Sequence, residues 1–464
     1  MGSKNKKKLI ILLSAAAVAG LAAVQLMLAH PWDRDGDGSW GMLAEPLDCD
    51  DKNAKVHPGA GEIPLNGVDE DCDGFETYRG ANIVLIVIDT LRFDHLGCYG
   101  YVSDTSPRLD RFSEQSVLFE NAYSHAPWTH PSVASIITSL HPVEHGVTEW
   151  KHRIKSSLVT LPEVLHDAGY RTEAYVSHVL FKPVFGYSQG FDVYDFSVLD
   201  TGNPHQIATS AEISDKAIDA LQRIKGPFFL FLHYFDPHHQ YLHHEEFDFS
   251  KTSEISRYNS EIAYTDLHMG RVLDEIREKS LLDKTIVVVV ADHGEEFRDH
   301  GGTQHTITLF EELIHIPLLV RVPGIGHERV DKVVVESDIA PTLLDLVGLP
   351  IPQQFTGKAI RFGLGGVVAE NRTVFSETRR GADIKCIIKD GYKLILDQKR
   401  NRTWLYNLLN DPFERVDLLS RKRGKGAALL NDLLAFYKKS SGSSQDIELS
   451  DEIIERLESL GYMQ

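Results

Sequence analysis

A chain of 464 residues with 42% hydrophobic and 25% charged residues has room for one large domain and smaller parts around a real core. A net charge of −19 excludes a nucleic-acid binder, which needs a basic footprint. Aspartate-rich stretches give that charge a second reading, bound cations.

The N-terminus reads as targeting. Lys4, Lys6, Lys7 and Lys8 precede an apolar stretch over residues 9–29, the pattern of a secretory signal. The stretch is also long enough to span a bilayer. Met27-Leu28-Ala29 is a poor small-x-small cleavage site, which favours an uncleaved anchor in the membrane, and no cysteine follows for lipidation. In either case the rest of the chain faces away from the cytoplasm, in a bacterial periplasm or at the cell surface. That compartment permits a disulfide, expected between Cys49 and Cys72. Cys98 and Cys386 are isolated and expected to be free and buried.

In residues 31–80, Asp33, Asp35 and Asp37 ahead of Gly38 open like a calcium loop, where hard oxygens converge on one ion. The closing glutamate of an EF-hand would fall at Ala44, and Glu45 is one late, so a standard EF-hand is not supported. The following DCDDKNAKVHPGAGEIPLNGVDEDCDG carries Asp48, Asp50, Asp69, Asp71 and Asp73. It resembles an aspartate-rich metal-binding repeat of bacterial surface proteins. That repeat often has a further cysteine near residues 63–65, absent here, which leaves Cys49 and Cys72 as the pair. We expect a small calcium-stapled module, since so few apolar residues cannot fold on a core alone. A disordered acidic linker is the alternative.

Residues 81–375 alternate strand and helix. The runs 82–88 and 286–291 are unbroken, apolar and mostly β-branched, too short for helix cores. Each reads as a strand covered on both faces. Each ends in a carboxylate, Asp89 in one case and Asp292 with His293 in the other. In parallel sheets the chemistry sits where strands end, and a carboxylate beside an imidazole suits a divalent cation. Further strands are expected at 171–177, 228–233 and 316–322, with helices at 161–170, 261–279 and 338–348. The fold class is therefore α/β, a mostly parallel sheet flanked by helices. Thr129 precedes the start of a helix, where free N–H groups favour anions; such a hydroxyl also serves simply as an N-cap.

Taken together, Asn82–Asp89, Thr129-x-Pro131-Ser132 and Ala291-Asp292-His293-Gly294-Glu295 resemble the sulfatase family of the alkaline phosphatase superfamily. DTLRFDHLGCYGY, ITSLHPVEHGV, FLHYFDPHHQY, IAPTLLDLVGLP, LYNLLNDPFERVDL and LESLGY extend the likeness over residues 81–464. The resemblance implies one catalytic divalent ion (calcium, manganese or zinc) on Asp89, Asp292 and His293. It sets Thr129 where sulfatases carry the cysteine oxidised to formylglycine, with its hydroxyl at the ion. It implies His238 as the histidine near the leaving group and His305 as a contact of the esterified anion. His178 and Asp236 would line the substrate pocket. An alternative makes Asp236, His238 and His305 ligands of a second metal. The chain departs from the pattern in two places: threonine cannot become formylglycine, and Val133 replaces the signature arginine. Superfamily members with a threonine nucleophile act on phosphoric esters, so phosphate competes with sulfate.

Residues 376–464 read as a small α+β subdomain, with strands around Asp390-Gly391 and at 404–406, and helices at 427–438 and 451–460. Arg379 and Arg380 read as solvated surface, or as the rim of the substrate entrance. The expected function is an extracytoplasmic metal-dependent hydrolase of sulfate or phosphate esters on a small molecule, glycan or lipid. It uses cationic His305 against the anion and Thr129 as nucleophile. The alternatives are a phosphoethanolamine-type transferase and a non-catalytic glycan-binding surface protein.

Overall fold

Seven consecutive residues, Asn82–Ile88, are buried on both faces of a strand, as an unbroken β-branched run requires. In a computed structural model this is β1 of the main sheet. The structure describes residues 49–50, 52–58, 60, 68–72, 74–75, 77–201, 207–363, 366–440 and 442–459. The expected signal segment 1–30 and Asp33, Asp35, Asp37, Asp48 and Asp73 lie outside the described residues. Among those described, no helix is long and apolar enough to cross a membrane.

The chain divides into two compact units, Met1–Glu76 and Thr77–Gln464. In the first, Cys49 and Cys72 form a disulfide with Cα atoms 5.7 Å apart. The His57 N–H donates to the Glu70 carbonyl at 2.7 Å, tying the two halves of the loop. Asp50, Asp69 and Asp71 are described, and among the described residues they do not gather into a three-ligand set. Asp69 instead accepts the Gly74 N–H at 2.8 Å.

In the second unit the strands after β1 are β2 (Val117–Tyr123), β3 (Arg171–Tyr175), β4 (Val193–Asp195), β5 (Phe228–Tyr234) and β6 (Thr285–Ala291). A short pair, β7 (Glu296–Phe297) and β8 (Thr303–Gln304), precedes β9 (His315–Arg321) and β10 (Glu328–Val335). The main sheet has the order β10-β2-β9-β6-β1-β5-β3-β4. It is mostly parallel; β9 alone runs antiparallel to its neighbours β2 and β6. The helices Ser210–Arg223 and Glu254–Glu278 pack on each other, and Thr129–Thr138 packs on Ile339–Leu346. The expected strands are present with shifted ends, and β2, β4 and β10 are additions to the main sheet. β10 is an edge strand whose charged residues stay exposed, so its hydrophobic pattern is weak.

A hairpin, β11 (Arg361–Gly363) and β12 (Gly366–Val368), leads to the C-terminal sheet of β13 (Val374–Thr378), β14 (Ile384–Lys389), β15 (Tyr392–Asp397) and β16 (Arg402–Asn407). This antiparallel sheet begins just before the expected boundary at 376. One face packs Ile387, Leu394 and Leu405 under Leu429 and Leu433 of the helix Arg423–Lys439. The other face presses Cys386, Ile388 and Ile395 onto Leu309, Leu313 and Ile314 of the main domain. Cys386 is buried as expected; Cys98 is only half-buried, because its short helical turn lies at the surface.

Between the two sheets sits a buried charge network. Lys393 is fully buried, and its Nζ lies 2.9 Å from both Glu311 and Glu414. Glu414 accepts the Glu311 N–H at 2.7 Å, and the Tyr123 hydroxyl donates to Glu311 at 3.1 Å. Burial pushes Glu311 up, but Lys393 and His315 outweigh it and hold the carboxyl down at about 2. Removing one partner of a buried ion pair strands the others. Lys393→Met is therefore expected to cost about 3–5 kcal/mol in denaturant unfolding. Adding Glu311→Gln and Glu414→Gln is expected to recover much of that loss.

Candidate active site

β1 and β6 pair in parallel with Ile88 opposite Ala291, so Asp89 and Asp292 leave the sheet side by side. Both are fully buried. Extended Trp128 delivers Thr129 as the first residue of the helix Thr129–Thr138. The Thr129 hydroxyl lies 3.4 Å from Asp89 Oδ2 and 3.3 Å from His293 Nε2. His293 Nε2 stands 3.5 Å from Asp89 and 3.7 Å from Asp292. Ligand atoms about 2.0–2.6 Å from one ion stand roughly 3–4 Å apart, so these spacings suit a shared cation.

Local backbone holds these groups in place. His293 Nδ1 is 2.8 Å from the Gly294 carbonyl, which takes the ring proton and leaves the Nε2 lone pair facing Asp89. At Gly294 a Cβ would collide with the Glu312 carbonyl, so only glycine lets the chain pass. Thr90, directly after Asp89, has φ +53°, a strained conformation for a β-branched residue. It is held by the Tyr258 hydroxyl, which donates to its carbonyl at 2.6 Å, and by its own N–H, 3.3 Å from Asp292 Oδ1.

Three expected histidines surround this set. The His305 ring lies 4.7 Å from His293 and 4.8 Å from His238. The His238 ring is 5.9 Å from His178. His238 Nδ1 is 2.6 Å from the His239 carbonyl, and His305 Nδ1 is 3.1 Å from Glu295. Two expectations need correction. Asp236 accepts the N–H groups of Thr209 and Ser210 at 2.7 Å each and the Thr209 hydroxyl at 2.6 Å. It caps the start of the helix Ser210–Arg223 rather than meeting substrate, and the alternative second-metal set of Asp236, His238 and His305 is not assembled. The cationic His305 expected is disfavoured: burial, helped by the charge of Arg380, pushes it down to about 3.

Residues 81–349 match the Sulfatase family, and residues 302–434 match the C-terminal region of N-sulphoglucosamine sulphohydrolase. The chain belongs to the sulfatase family. Residues 48–76 match a metal-binding motif of the MopE copper-binding type. The chain is 22% identical over 419 residues to the sulfatase YidJ of Escherichia coli strain K12, spanning 73% of this chain and 83% of that protein. The fold is shared with the phosphonate monoester hydrolase of Agrobacterium radiobacter, at TM-score 0.69, 17% identity and coverage of 80% and 98%. It is also shared with a protein solved with its substrate D-glucosamine-2-N,6-O-disulfate, at TM-score 0.68, 18% identity and coverage of 78% and 98%. This sulfatase-family chain is an ester hydrolase of the sulfatase class.

Sulfatases use a divalent ion, and the residues present in this sulfatase fit one. Burial, then the charges of Asp292 and Glu295, raise Asp89 well above the carboxylate range. Burial likewise raises Asp292 and Glu295 to about 8 each. Asp292 Oδ2 is buried without a hydrogen-bond partner. Carboxylates short of positive charge, one with an orphaned oxygen, are what a cation would satisfy. Both buried ring nitrogens of His233, a residue the sequence did not single out, are also orphaned. Its Nε2 is 3.6 Å from Asp89, and with Asp292 the three ligand atoms lie within 4.8 Å of one another. The available signal was a histidine inside the otherwise apolar run of β5.

Manganese, zinc or calcium at about 100 times its Kd is expected to add about 2.7 kcal/mol of stability, read as a rise in thermal midpoint. Asp292→Ala is expected to abolish that rise. His233→Ala is expected to weaken binding about 10- to 100-fold by calorimetry.

Proposed function

We propose that the protein hydrolyses phosphate or sulfate esters outside the cytoplasm, through a covalent intermediate on Thr129. The observation that carries this reading is the Thr129 hydroxyl, 3.3 Å from His293 and 3.4 Å from Asp89 at a helix N-terminus. Asp89, Asp292, His293 and His233 would hold one divalent cation, which when bound supplies Lewis acidity toward the ester oxygens and the Thr129 hydroxyl. Two imidazoles in that set favour manganese or zinc over calcium. Thr129 would attack in line, its hydroxyl proton passing to Asp89 3.4 Å away, forming its bond to phosphorus or sulfur as the ester bond breaks, and would take that proton back when water displaces it. His238, in its protonated form, gives its proton to the departing alkoxide and then takes one from the attacking water. His305, held through Nδ1 by Glu295, would contact the transferred group. The group leaves threonine only by in-line attack of water, a route open to phosphoryl-threonine, so phosphate esters are the favoured substrates.

We assign residues 81–375 to catalysis, residues 376–464 to a supporting subdomain, residues 31–80 to a calcium-binding module and residues 1–30 to a signal or anchor. The Cys49–Cys72 disulfide supports an oxidising compartment.

The test is turnover of nitrophenyl sulfate, phosphate and bis-phosphate esters with each metal. Thr129→Ala is expected to lower kcat by at least roughly 10³-fold, and unchanged turnover would reject Thr129 as nucleophile. His238→Ala is expected to cost about 10²–10⁴-fold on alkyl esters and much less on nitrophenyl esters, whose leaving group needs no proton.

A further inference from the structure

The C-terminal sheet reaches the mouth of the site. The Glu377 N–H of β13 donates to the His125 carbonyl at 2.9 Å, and the Thr378 hydroxyl donates to the Thr306 carbonyl at 2.5 Å. These bonds pin the end of β13 between the segment leading to Thr129 and the loop carrying His305. The next residues are two arginines. Arg379 pairs with buried Glu377 at 2.9 Å. Arg380 turns the other way: its guanidinium carbon lies 5.4 Å from the centre of the Trp128 ring, next to Thr129. It is half-buried, and its charge reaches His305. For Arg380 this position fits the rim of the substrate entrance, the second of the two readings the sequence allows, better than solvated surface.

An anionic ester approaching this site meets a chain of net charge −19 and an acidic floor. Val133 stands where the family signature has arginine. A guanidinium laid against an indole is already oriented, and its planar fork matches a carboxylate, sulfate or phosphate in two parallel hydrogen bonds.

We propose that Arg380 is a specificity-determining residue that binds a second anionic group on the leaving-group part of the substrate, making the preferred ester a polyanion. The leaving-group side follows from position, since His305, which Arg380 neighbours, packs its ring on His238. The inference rests on the hydrolase reading above.

The experiment uses the full metal-loaded chain and two aryl esters of matched leaving-group acidity, one bearing a ring carboxylate. Arg380→Gln is expected to lower kcat/KM for the carboxylated ester roughly 10-fold more than for the plain one, chiefly through KM, the scale of one charge-assisted contact. Arg380→Lys, with charge but no fork, is expected to restore part of the difference. Replacing the carboxylate with a ring sulfate or phosphate tells which anion is preferred. Equal losses on the two esters, or none, would overturn the proposal. Calorimetric binding of the carboxylated ester to Thr129→Ala, with and without Arg380→Gln, reads the contact without turnover. Arg380-dependent binding beside a wild type that turns over neither ester would sink hydrolysis alone.

Discussion

The parallel pairing of β1 with β6 forces two carboxylates to emerge side by side in a fully buried place. Burying one unpaired carboxylate is already costly, and here Glu295 adds a third nearby. Only a bound cation or bound protons can relieve this, and the orphaned oxygen of Asp292 and nitrogens of His233 show that protein partners do not. The charge shortage is built into the sheet register.

The Lys393 network is the instructive contrast. Its carboxylates are as deeply buried, yet a lysine from β15 sits between them at 2.9 Å from each. One buried acidic cluster is compensated from within; the other is left uncompensated by protein charge. The same distinction separates Asp236 from Asp89: Asp236 has its oxygens filled by the start of a helix.

Rigidity around the site comes from the backbone. Strained Thr90 is pinned by Tyr258, and Gly294 allows the chain to slide against Glu312. Both lie directly beside members of the buried acidic and histidine set, where a small displacement would change its 3.3–3.7 Å spacings. His233, His293 and His305 are driven toward neutrality by burial, which suits them to ligation or hydrogen bonding more than to holding charge.

By itself the sequence determined the two central strands, their terminal aspartates and the family, because strands buried on both faces leave unbroken apolar runs and the motifs recur in order. It did not reveal β10, since an edge strand carries polar residues on its open side. It misplaced Asp236, since a D-x-H spacing looks the same whether the carboxylate meets an ion or a helix end. Only the tertiary structure decided that His233 faces Asp89, because that depends on the register of β5 against β1. Likewise only the folded chain brings Arg380 to Trp128 across some 250 residues of sequence: long-range sheet docking, which no local pattern encodes, makes that contact.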